Sequence, residues 1–161
     1  MNSTQIEKTV TALVQNFNQE EFVFDLLRAY GISKTSITRI KKGDFNQSKI
    51  EGEILYKSKM LFKVVETGTL LDVIDDLTKE PESIKGNPRF VIVTDYKTLL
   101  AKDIRTGLAL DTQILELHKH FGFFLPWAGH EKYAQKNENY ADRKASYKMA
   151  KLYDILVTEN P

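Results

Sequence analysis

The chain contains no cysteine. That absence excludes disulfides, thiolate zinc sites and cysteine nucleophiles, and it fits a reducing compartment. No apolar run approaches the roughly 20 residues that a membrane-crossing helix needs, so no membrane partner is expected. The start, MNSTQIEKTVTALVQNF, lacks the basic opening and apolar block of a signal peptide, and a cytoplasmic location is expected. There is no GxxxxGK[ST] nucleotide loop, no GxGxxG fingerprint and no GxSxG elbow. NPRF at Asn87 is not the Asn-Pro-Pro-aromatic motif of amino-methyltransferases. No cofactor is therefore expected on this chain. Neither repeats nor low-complexity segments are present.

Neither sign of charge dominates. The chain has 23 Lys and Arg against 22 Asp and Glu, for a net charge of +1. A free-standing DNA binder is usually more basic. The distribution is uneven, however. From Ser33 to Lys63 stand Lys34, Arg39, Lys41, Lys42, Lys49, Lys57, Lys59 and Lys63, against Asp44, Glu51 and Glu53. Such a local excess can face phosphates, or it can be ordinary solvated lysine. Lys41, Lys42, Lys57 and Lys59 are the candidate backbone contacts; contacts of that kind position a protein rather than specify a sequence.

What is present is ordinary for a globular chain: 161 residues, 42% hydrophobic and 28% charged. That suits one domain with an added helical arm. Ile6, Val10, Leu13, Val14 and Phe17 recur at helical spacing. A second helix is expected in NQEEFVFDLLRAYG, with Asn18 as N-cap, Glu21 at capping-box spacing and Gly31 as the stop. Ser33 can cap a third, with Ile37 and Ile40 inward and Gly43 closing it. GEILYKSKMLFKVVETG reads as a hairpin turning at Lys57–Lys59. TGTLLDVIDDLTKEPES reads as a helix capped by Thr69, with Leu70, Leu71, Ile74 and Leu77 inside and Pro81 at its end. RFVIVTD is nearly all apolar, as befits a strand covered on both faces, and KTLLAKDI is its neighbour, closed by Gly107. TQILELHKHFGFFLPWAG reads as a short helix followed by an aromatic segment that packs in the core or at a domain junction marked by Trp127, rather than stacking on bases. After Gly129 the character turns polar, then helical from about Asn139. The expected architecture is α/β: a small mixed-sheet sandwich with flanking helices and a C-terminal helical extension. The expected domains are 1–129 and 130–161.

The hairpin raises the chemical question. Metal-dependent phosphodiester cleavage needs carboxylates to hold Mg²⁺ and a lysine to help activate water. Alternation along a strand puts residues two apart on one face. Glu53 can supply a first acid. On the second strand the acid and lysine positions hold Lys63 and Val65, and neither can do that work. His118 and His120 sit at a helix end, where residues two apart do not share a face; with His130 they make no expected metal site. Asp95 in VTDYKT reads as a turn residue.

FVFDLLRAYGISKTSITRIKKGDFN, PRFVIVTDYKTLLAKD, HFGFFLPWAGHEK and ADRKASYKMAKLYD together resemble the N-terminal region of large bacterial DNA methyltransferases of the MmeI-like, type IIG restriction-modification kind. The resemblance runs from about Gln19 to Ile155. It implies a PD-(D/E)XK (restriction-endonuclease-like) fold, followed by a helical connector, an adenine-specific methyltransferase domain and a target-recognition domain. Active members carry an acid on the first hairpin strand and E-x-K on the second. Those positions fall here on Glu53, Lys63 and Val65, so the resemblance implies a nuclease fold without its active site. The expected function is a non-catalytic domain that packs against the methyltransferase and contacts DNA, with S-adenosylmethionine used by the full-length protein. Two rivals stay open. One is a Mg²⁺-dependent endonuclease with a rearranged site built on Glu53, Glu66 and Lys63. The other is an interaction module that never touches DNA.

Overall fold

A computed structural model describes residues 2–48, 50–80 and 84–129. The expected second domain from residue 130 onward, including His130, lies outside the described residues. Three helices come first: α1 (Ser3–Gln15), α2 (Phe22–Ala29) and α3 (Lys34–Lys42). The hairpin follows as β1 (Glu53–Tyr56) and β2 (Met60–Val64), then α4 (Leu70–Thr78), β3 (Phe90–Thr94), β4 (Thr98–Asp103) and β5 (Ala109–Gln113). A last helical stretch, Ile114–Ala128, is made of tight 3₁₀ turns with a break at His120.

The sheet has five strands in the order β1-β2-β3-β4-β5. β2 and β3 run parallel, joined by the α4 crossover; the other neighbours are antiparallel. The mixed α/β architecture is the expected one. β3 is buried throughout, as its apolar run demands.

Helices cover both faces, because alternation along each strand makes both faces apolar. On one face Met60, Phe62, Phe90, Ile92, Leu99 and Leu110 pack against α1, α2, α3 and the Ile114–Ala128 stretch. On the other, Leu55, Leu61, Val91 and Val93 pack against Leu70 and Ile74 of α4. The aromatic segment belongs to the first core: Phe124 stacks on Trp127 at 4.7 Å, and Phe90 meets both edge-on. The Trp127 indole N–H donates to the Lys59 carbonyl at 3.0 Å, tying this segment to the hairpin turn.

Four details differ from the sequence reading. Thr69 precedes α4, but its side chain does not cap the helix; its hydroxyl donates to the Glu66 carbonyl at 2.7 Å. Asn18 does not cap α2. Its side chain accepts from the Glu20 N–H in a turn, and α2 starts after Glu21 with no side-chain cap. The capping box is instead on α1, where Asn2 and Gln5 exchange side-chain and backbone hydrogen bonds at 2.8 and 3.1 Å. Leu71 is not inside but 65% exposed, because α4 meets the sheet along Leu70 and Ile74 and Leu71 points away. Finally, Thr112 and Gln113 open no helix; they end β5, which pairs with β4 through Leu99↔Thr112 and Ala101↔Leu110.

Candidate functional site

The hairpin register places Glu53 directly opposite Lys63. Both lie on the α4 side of the sheet, since Leu55 and Leu61 on the same alternation enter that core. The Lys63 ammonium stands 3.4 Å from one Glu53 carboxylate oxygen. The other oxygen accepts from the Ser48 hydroxyl at 2.7 Å. Glu53 is only 11% exposed and Lys63 31%. An acid this enclosed needs a counter-charge, and the neighbouring strand provides one.

The loop before β1 completes the enclosure. The Asn46 side-chain oxygen accepts from the Ser48 and Leu55 N–H groups at 3.0 and 2.9 Å, which folds residues 46–48 over the strand. Asn46 also bridges Tyr56 in antiparallel fashion. Sequence reasoning missed Ser48 and Asn46. The signal for them is the N-x-S spacing, which lets an asparagine side chain mimic a turn.

Val65 lies just past β2. Its N–H donates to the Thr94 carbonyl at 2.9 Å, and its side chain packs against the α4-side core. Glu66 is exposed beyond the strand end, and its carbonyl accepts from Thr69. The structure therefore brings Glu53 and Lys63 together and leaves Glu66 outside the strand pairing. Chemically, the pair is an acid already neutralised by a fixed cation; a divalent ion at that carboxylate must displace the ammonium. Among the described residues no three His, Asp or Glu side chains gather in metal-binding fashion. His118 is half-buried, with Nδ1 lacking a hydrogen-bond partner, and His120 sits at the helix break.

Asp95 caps the β3–β4 turn as expected. It accepts from the Lys97 and Thr98 N–H groups and from the Thr67 hydroxyl at 2.8–2.9 Å. The Thr98 N–H above all holds its carboxyl below the usual carboxylate value.

The candidate phosphate contacts fall on two elements. Lys41 and Lys42 end α3, and Lys57 and Lys59 form the β1–β2 turn. The two are linked, because the Asn46–Tyr56 bridge and the Phe45–Tyr56 ring stack join the chain after α3 to the strand end beside Lys57. The four cations are not equivalent. Lys41 is engaged with Glu21 at 2.7 Å and lies over the Phe24 ring. Lys42 and Lys57 are exposed, and Lys59 is half-buried.

Comparison with known proteins gives a consistent result. The family model described as MmeI, N-terminal domain matches residues 1–159. The chain belongs to that family. The protein named DNA methyltransferase A of Bacillus subtilis (strain 168) is 39% identical over 155 residues, covering 96% of this chain and 18% of that relative's length. No solved structure matches the chain. Among the described residues, no helix is long and apolar enough to cross a membrane.

Proposed function

We propose that this chain is the non-catalytic N-terminal domain of a cytoplasmic bacterial DNA (adenine-N6) methyltransferase of a restriction-modification system. Its sheet with a parallel crossover and an acid-bearing hairpin is read as a restriction-endonuclease-like fold that has lost its chemistry. The domain packs against the methyltransferase and target-recognition domains and adds contacts to the DNA backbone. S-adenosylmethionine is used by the full-length protein, not by this chain.

The observation that carries this reading is the Glu53–Lys63 pair. A site for phosphodiester cleavage holds a metal on several oxygens. Here the single enclosed acid is matched by an ammonium, and the next inward position is an aliphatic side chain in a core. The membership of the MmeI N-terminal family and the named DNA methyltransferase relative support the parent activity.

The test uses the full-length protein with plasmid DNA. Transfer of methyl groups from S-adenosylmethionine is expected, with no cleavage in Mg²⁺ or Mn²⁺. Metal-dependent nicking that disappears in Glu53→Ala would promote the rearranged-endonuclease reading. Saturable S-adenosylmethionine binding to residues 1–161 alone, read by calorimetry, would count against the division of labour.

A further inference from the structure

The helices α2 and α3 form a unit whose construction the hairpin chemistry does not explain. Four residues, Tyr30–Ser33, connect them. The Gly31 and Ile32 N–H groups donate to the Arg28 and Leu27 carbonyls at 3.0 and 3.1 Å, a Schellman closure with Gly31 at φ +96°. Ser33 then caps α3 through the Ser36 N–H. The turn is anchored on both sides. The Thr9 hydroxyl of α1 donates to the Ala29 carbonyl at 3.0 Å, and the buried Tyr30 hydroxyl donates to the Phe121 carbonyl at 2.6 Å. The far end of α3 is fastened to the start of α2 by the Lys41–Glu21 pair. Two short helices joined by a glycine-containing turn of this length have the connectivity of a helix-turn-helix.

The outward face of α3 has a distinct chemistry. Ile37 and Ile40 are buried, so at about 3.6 residues per turn Thr35, Thr38, Arg39 and Lys42 lie toward the other side; all four are exposed, and the Arg39 guanidinium also lies over the Phe45 ring, 5.5 Å from its centroid. Lys34 is exposed beside them. The helix contains no acidic residue. Nearby acids are Glu21, paired with Lys41, Asp25 of α2, which also interacts with Lys41, and Asp44, just past the helix end. The helix dipole accounts for cations in the last turn but not for Lys34 in the first, where a positive charge is unfavourable. Exposed threonines are also poor helix formers, so local stability does not account for Thr35 and Thr38.

We propose that α2, the turn and α3 form a helix-turn-helix unit that seats the outward face of α3 in the major groove of duplex DNA. Thr35, Thr38 and Arg39 face base edges, where hydroxyls and a guanidinium can read donors and acceptors. Lys34 and Lys42 face flanking phosphates. The commitment to a polyanionic duplex follows from charge complementarity along one acid-free face. The inference rests on the reading of the parent as a DNA methyltransferase and goes beyond it by naming the element that touches DNA.

The experiment measures binding of the full-length protein to a labelled mixed-sequence DNA duplex across a salt series. Lys34→Ala with Lys42→Ala is expected to weaken binding about tenfold and to reduce the slope of log affinity on log salt by about two, near one per lost phosphate contact. Thr38→Glu, which sets a carboxylate on the face, is expected to weaken binding at least as much. Lys79→Ala, beyond α4 on the other layer, is expected to change neither. An unchanged slope in the Lys34/Lys42 variant, with its melting temperature intact, overturns the proposal, as does preferential binding of an RNA duplex of the same sequence. Full-length protein that methylates DNA while the α3 variants bind normally sinks this inference alone. Full-length protein that methylates nothing sinks the reading beneath it.

Discussion

The two faces of the sheet are built differently. One is covered by three helices and the Ile114–Ala128 stretch, and its core holds Phe22, Tyr30, Phe62, Phe90, Phe123, Phe124 and Trp127. The other is covered by α4, and its core is aliphatic and small. The rich face is tied across the sequence by hydrogen bonds from Tyr30 and Trp127. The lean face carries Glu53, Lys63 and Val65. The difference separates tasks: the rich side secures the fold, while the lean side carries an ion pair and a valine beside a smaller aliphatic core.

The largest expected effect tests that separation. Phe124→Ala removes a fully buried ring that contacts Phe90, Tyr30, Phe123 and Trp127, and should cost about 3–5 kcal/mol in denaturant unfolding. Ile74→Ala on the lean face should cost about 2–3 kcal/mol, because α4 is solvated on its outer side and can settle into the gap. Equal losses at the two sites would erase the contrast. Next comes Tyr30→Phe. Burial pushes that phenol well above its ordinary value, and its loss leaves the Phe121 carbonyl without its 2.6 Å donor. Thermal unfolding should show about 1–2 kcal/mol of destabilisation. Lys63→Met leaves the enclosed Glu53 carboxylate with its Ser48 hydrogen bond but no counter-charge and should cost about 1 kcal/mol.

How far these features were legible follows from their physics. β3 was plain because a central strand covered on both sides leaves an unbroken apolar run. The hairpin followed from the polar turn at Lys57–Lys59, and the shared face of Lys63 and Val65 from alternation along the strand. β5 was hidden. Only Leu110 and Thr112 point inward from it, one of them is polar, and Leu110, Ile114 and Leu117 fall at helical spacing. Leu71 was misjudged because five apolar residues in nine leave the inward arc of a short helix ambiguous until the sheet beneath it is known. The Glu53–Lys63 pair was out of reach for a similar reason. A missing metal ligand can be read from one position, whereas a charge match needs two positions and the register between them.

The smallest effect is electrostatic and sits at the strand ends next to the lean face. Asp95 joins the β3–β4 turn to Thr67 in the loop after β2. The N–H donors, Thr98 first, lower its folded-state pKa below the ordinary 3.8. Between those two values the unfolded chain binds more protons than the folded one, so stability rises with pH. The carboxylate's contribution is complete above 3.8 and is lost as pH falls through the lower, folded value. Asp95→Asn keeps an oxygen acceptor for the turn but removes the charge. The melting-temperature gap between the natural protein and this variant should therefore be present at pH 7 and should shrink below pH 3.8. A gap that stays constant down to pH 2 would mean that shape rather than charge holds the loop.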